Sequence, residues 1–206
     1  MKKLLIPVLF AFAIILQSNS CNKPKTTPTP VYNTEFPNNA GTYWKYKIFD
    51  SLNYQLDTVT INIVGKTKLN DSTDVSIWAI NSLLNGTDTN FVSNKSDGIR
   101  IYHFRSDLAI NPIKKYMFPL NVGNYWVTRY TIDTNRVTLQ GSISILAGTF
   151  SGYRINRNVL IPPGYNLIKE EEWFVHNIGM VSRYYLEIGP GYARKEKWEL
   201  VSFLIK

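Results

Sequence analysis

The chain has 206 residues, 44% hydrophobic and 14% aromatic against 18% charged, a balance that excludes intrinsic disorder and allows a real core. Its net charge of +8, from 23 Lys and Arg against 15 Asp and Glu, is spread thinly. The densest stretch is Arg194, Lys195 and Lys197, not the clustered basic face of a nucleic-acid protein. Thirteen Tyr, ten Phe and five Trp favour pleated, half-buried surfaces, so the composition leans towards sheet.

The first element predicted is a signal peptide over residues 1–20. Lys2 and Lys3 form a positive start, and residues 4–16 carry no charge. That run is too short to cross ~30 Å of hydrocarbon but suits the apolar region of a cleavable signal. Cys21 follows at once and is the only cysteine, so no internal disulfide is possible. Its position resembles the lipobox of bacterial lipoproteins, in which that thiol is acylated and becomes the new N-terminus. Ser18 stands where the usual box has Leu, a looser form that resembles lipoproteins of the Bacteroidota. The resemblance implies lipidation at Cys21, and acyl chains contribute ~0.8 kcal/mol per buried methylene to anchoring.

Residues 21–35 then read as the lipidated cysteine and a linker, with Pro24, Pro28 and Pro30 among Thr and Lys. Prolines bias such a segment towards extended polyproline II, and 14 residues at ~3.1 Å each reach ~40 Å. An acidic run after the cysteine resembles a surface-export signal in Bacteroidota, whereas Lys23 and Lys25 stand here. The expected location is the cell envelope, at the outer membrane and facing the periplasm.

A repeat organises the rest. Phe36-Pro37-Asn38-Asn39-Ala40-Gly41-Thr42-Tyr43-Trp44 returns as Phe118-Pro119-Leu120-Asn121-Val122-Gly123-Asn124-Tyr125-Trp126 at a constant offset of 82. Phe91-Val92 and Gly98-Ile99-Arg100-Ile101-Tyr102 parallel Phe174-Val175 and the stretch from Gly179 to Tyr184. Two related units are therefore expected, 36–117 and 118–206, packed together or closing one sheet. Within them the apolar period is two: Val59, Ile61 and Ile63; Ile99, Ile101 and His103; Trp126, Tyr130 and Ile132; Trp198, Leu200 and Leu204. Asn85-Gly86, Asp97-Gly98, Pro162-Pro163-Gly164 and Gly189-Pro190-Gly191 supply turns. No mature segment shows helical spacing. The expected fold is all-β and antiparallel, two related meanders forming a shared sheet, half-barrel or sandwich.

The second unit also resembles a recurring pattern in uncharacterised Bacteroidota lipoproteins. It rests on Phe118-Pro119-Leu120 with Gly123 and Trp126, Ala147-Gly148-Thr149-Phe150 with Tyr153, and Glu172-Trp173-Phe174-Val175 with Ile178-Gly179-Met180-Val181. The resemblance implies a β-rich fold and brings no activity with it. In architecture alone the chain is also similar to periplasmic half-barrels that carry lipoproteins or lipids.

Candidate chemistry is sparse. His103 and His176 are the only histidines, and with Cys21 reserved for lipid they make no zinc site, so no metal or cofactor is expected. Glu170 and Glu172 share one strand face at a spacing a glycosidase could use, but acidic residues at a strand start read more simply as solvated edge protection. Asn70-Asp71-Ser72-Thr73-Asp74 reads as an Asx turn and not a calcium loop. Trp44, Trp126 and Trp173 read as core, while Tyr102, Tyr184, Tyr185 and Tyr192 are candidates for a groove or interface, each more simply structural. No catalytic residues are assigned. The expected role is a non-enzymatic binding or scaffolding module, anchored by lipid to a membrane, with an unidentified protein, glycan or lipid ligand and no nucleic acid. The alternatives are a carrier of a lipid or acyl chain and a glycan hydrolase using Glu170 or Glu172.

Overall fold

The computed structural model describes residues 36–107, 112–128, 133–159 and 167–206. The signal segment, Cys21, the linker, Tyr130, Ile132 and the Pro162-Pro163-Gly164 turn lie outside the described residues. Twelve strands and no helix are present among those described. The first six are β1 (Tyr43–Phe49), β2 (Gln55–Lys68), β3 (Asp74–Ser82), β4 (Gly86–Lys95), β5 (Gly98–Tyr102) and β6 (Ile113–Met117). The second six are β7 (Tyr125–Val127), β8 (Asp133–Ile145), β9 (Gly148–Val159), β10 (Leu167–Val175), β11 (Gly179–Gly189) and β12 (Tyr192–Leu204).

All pair antiparallel in one sheet, ordered β6-β5-β4-β3-β2-β1-β12-β11-β10-β9-β8-β7. Each half is thus a six-stranded meander, and β1 meets β12 where the halves join. The outer strands also approach each other: Lys114 N–H donates to the Thr128 carbonyl at 2.9 Å, and the Trp126 indole N–H to the Lys114 carbonyl at 3.0 Å. The sheet therefore curls into a nearly closed barrel and not a sandwich, which leaves almost no free edge.

The repeated motif leads into the first strand of each half and makes the same bonds twice. Gly41 N–H donates to the Ile63 carbonyl and Ile63 N–H to that of Thr42, at 2.8 and 2.9 Å. Gly123 and Asn124 do the same with Val137, also at 2.8 and 2.9 Å. Both glycines have positive φ, 87° and 96°, a conformation that strains any residue with a Cβ. Three positions later Trp44 and Trp126 turn inward and are buried.

The core fills one end of the barrel. Phe36 stacks on Trp78 with ring centres 5.6 Å apart and lies 6.1 Å from both Tyr116 and Phe174. The tight turn between β10 and β11 presses on the same ring, since a Cβ on Gly179 would meet Phe36 Cε2 at 3.1 Å. Residues 36–38 are pinned at this end: the Trp78 indole N–H donates to Asn38 Oδ1 at 3.0 Å, and Asn94 Nδ2 to the Phe36 carbonyl at 3.1 Å.

One expected face is corrected. Trp198 and Leu200 do point inward, but the register opposite Lys45 and Tyr46 skips Val201. That bulge flips the alternation, so Phe203 packs on the core and Leu204 is 42% exposed.

Candidate functional site

Above the aromatic core the barrel encloses a cavity of about 540 Å³. Its walls divide by half. The N-terminal half contributes a mostly apolar wall: β1, β2, β3 and β5 line it with Trp44, Tyr46, Val59, Ile61, Trp78, Ile80, Ile99 and Ile101, and β4 with Asn90. The C-terminal half and β6 instead turn charge inward: Asp133, Arg157, Glu170, Glu172, Arg183 and Lys115.

These six form one connected network. Arg157 grips Asp133 with two bonds, Nε to Oδ1 at 2.8 Å and Nη2 to Oδ2 at 2.7 Å, and reaches Glu170 Oε2 through Nη1 at 3.0 Å. Arg183 Nε donates to Glu170 Oε1 at 2.7 Å. Lys115 crosses the lumen from β6 to bind Glu172 and lies 3.9 Å from Glu170. The Tyr116 hydroxyl donates to Glu172 Oε2 at 3.0 Å. Three cations balance three anions, which meets the requirement that buried charge be paired. Burial alone would push the Glu170 carboxyl up, but Lys115, Arg183 and Arg157 outweigh it and hold the carboxyl well below the ordinary glutamate range. Burial, helped by the Glu172 charge, pushes the Tyr46 and Tyr116 hydroxyls up.

The reading of Glu170 and Glu172 as solvated edge protection is wrong. β10 lies inside the sheet between β9 and β11, and the two side chains are 4% and 6% exposed. Their shared face is as the alternation required, with Glu171 outside beside Arg154. Held ionised, Glu170 has the form of the nucleophile or base of a carboxylate pair and not of its acid. Glu172 is occupied by Lys115 and Tyr116.

The other candidates are scattered. His103 sits at the cavity rim, Nδ1 3.0 Å from Asn90 Oδ1, while His176 is at the opposite end of the barrel beside Pro119 and Gly152. Among the described residues no group of three His, Cys, Asp or Glu could hold a metal. Asp71 Oδ1 accepts from Thr73 N–H at 3.0 Å, the Asx turn expected between β2 and β3. Tyr102 is buried on the outer side of the sheet with Leu69, Val75 and Phe91. Tyr185 shares the face of Arg183 and packs on its guanidinium, Tyr185 and Tyr192 both donate to Glu187, and Tyr184 lies under Lys195; none of the three lines the cavity. Sequence reasoning missed Lys115, Asp133, Arg157 and Arg183. The available signal was their parity: Glu170 and Glu172 alternate onto the face of buried Phe174, so partners of opposite charge had to face them.

No family model and no curated protein matches the chain. Among solved structures, an exported protein with a YmcC-like fold from Bacteroides fragilis superposes with a TM-score of 0.55 at 10% identity, covering 85% of this chain and 100% of its own. The chain shares that fold. A lipoprotein from Parabacteroides distasonis aligns over 84% of this chain and 100% of its own at 12% identity, with a TM-score of 0.42.

Proposed function

We propose that this chain is a lipid-anchored protein of the cell envelope, working as a non-catalytic binding module that takes an amphipathic ligand into the barrel. The observation that carries the reading is the lumen. A cavity of about 540 Å³ lies within the ~300–1,000 Å³ range of small-molecule sites, and its walls split into an apolar half and a charged half. A scaffold that needed only stability would fill that space with side chains, because close packing of apolar groups outperforms buried ion pairs. The signal-like N-terminus and Cys21 support the anchor, and the fold shared with an exported protein is consistent with the compartment. The engagement of both Glu170 and Glu172 by cations and by Tyr116 leaves neither free as the acid that glycan hydrolysis needs.

Two measurements test the reading. The full chain should bind the neutral apolar probe N-phenyl-1-naphthylamine with quenching of Trp44, Trp78 and Trp198, which line the cavity. No binding, together with no co-purifying small molecule in native mass spectrometry, would sink the lumen as a site. Cys21→Ser should move the protein from the membrane fraction to the soluble one, and persistent membrane association would contradict the anchor.

A further inference from the structure

The charged wall is layered, and the layering selects one head group. The side chains of Glu170, Glu172 and Asp133 are 4%, 6% and 11% exposed, whereas those of Lys115, Arg157 and Arg183 are 28%, 32% and 25% exposed. The anions form a hidden lower layer and the cations the surface that a ligand meets.

The cations also keep donors in reserve. Arg183 makes its hydrogen bonds through Nε alone among the described residues, so both Nη groups retain theirs. Its guanidinium is held in place by Trp198 and Tyr185, whose ring centres lie 5.5 and 5.2 Å from Cζ. Lys115 has three N–H donors for one close carboxylate. A preset group of cations with unused donors, next to an apolar wall, fits a compact oxyanion joined to a hydrocarbon body.

We infer that the ligand of this lumen is an anionic amphiphile, with its carboxylate or phosphate on Lys115, Arg157 and Arg183 and its apolar part along Trp78, Ile80, Ile99 and Ile101. The inference rests on the binding-module reading above and specifies its ligand class. Buried carboxylates beneath the cations fix their positions and make the network neutral overall, while its positive ends are the layer turned towards the lumen. A cationic head group would instead have to displace Lys115 or Arg183 to reach Glu172 or Glu170.

The test uses the full chain and four ligands sharing a twelve-carbon tail, each below its micelle-forming concentration: dodecanoate, dodecyl phosphate, dodecanol and dodecyltrimethylammonium. Displacement of N-phenyl-1-naphthylamine reads their affinities. At least one of the two anions should bind about tenfold or more tightly than dodecanol, and the stronger anion identifies the head group. The paired variant Lys115→Met with Glu172→Gln removes one charge of each sign. It should lower the ratio of anion to dodecanol affinity severalfold. Arg183→Lys, which keeps the charge but loses the planar fork, gives a second variant should the pair fail to fold. Equal affinity for dodecanol and both anions, or tighter binding of the cation, overturns the inference while leaving the lumen a binding site. Failure of all four ligands and of the neutral probe defeats the binding reading itself.

Discussion

The two halves of the barrel meet twice, and the two seams are built differently. At the first, β1 and β12 pair over seven residues, from Tyr43 opposite Leu204 to Phe49 opposite Lys197. At the second, β6 and β7 share the Lys114-to-Thr128 backbone bond and the Trp126 indole bond. What the second seam lacks in backbone ladder it recovers from side chains that cross the lumen: Lys115 and Tyr116 of β6 both fasten onto Glu172 of β10. One join is a continuous main-chain ladder. The other depends on a carboxylate in the binding cavity, so the stability of that seam and the electrostatics of the site share the same atoms.

The largest expected effect breaks the strong seam. Trp44 on β1 is 2% exposed, and its indole N–H donates to the Ile178 carbonyl at 2.6 Å. Trp44→Ala should destabilise the whole barrel by about 4 kcal/mol in guanidinium denaturation, with every strand losing protection together. A loss under about 1 kcal/mol would show that the ladder alone sustains this seam.

Next comes the strut at the other seam. Glu172→Leu leaves Lys115 and the Tyr116 hydroxyl without their acceptor inside the barrel, a change of about 3 kcal/mol. Its signature is local: hydrogen exchange should rise in residues 113–117 before it rises in 43–49. Uniform acceleration across both strands would remove the distinction between the seams.

An acid response follows, intermediate in size. Glu170 is more acidic in the folded chain than in the unfolded one, so the stability it contributes is present above the ordinary glutamate value of 4.5 and is lost as the pH falls below it. The Tm should therefore drop from pH 6 to pH 3, and Glu170→Gln, though less stable at pH 6, should show a shallower drop. Parallel curves for the two proteins would refute the assignment.

The smallest effect sharpens the comparison. Trp126→Phe keeps an aromatic ring in the core but gives up the bond to the Lys114 carbonyl and part of the indole's packing, together about 1–2 kcal/mol. Thermal denaturation should register that loss, with faster exchange confined to residues 113–117 and 125–127.

Much of the fold was legible in the sequence because antiparallel strands with one buried face must alternate. Val59, Ile61 and Ile63, and Ile99, Ile101 and His103, do line one side as their spacing demanded. Asn85-Gly86, Asp97-Gly98 and Gly189-Pro190-Gly191 sit at the hairpin turns for which their residues suit them. Leu204 failed because a bulge leaves no mark in composition, yet it exchanges the two faces of every residue beyond it. The site was harder to read because its chemistry is non-local. Glu170 meets Arg157 and Arg183 from neighbouring strands, and Glu172 meets Lys115 from 57 residues away in the chain. Alternation placed Glu170 and Glu172 on one face without saying whether that face was wet or enclosed. Closure of the barrel decided it, and closure is a property of twelve strands together.

Phe36 lines both the interior cavity and a second hollow at the base of the barrel, so one ring divides them. That ring belongs to no strand. It is delivered by the stretch that precedes β1, which gives the leader a part in the architecture beyond connecting it to whatever lies upstream. A version of the chain begun at Tyr43 would retain all twelve strands, yet it would lose the bonds of Gly41 and Thr42 to Ile63 and the ring that partitions the two hollows.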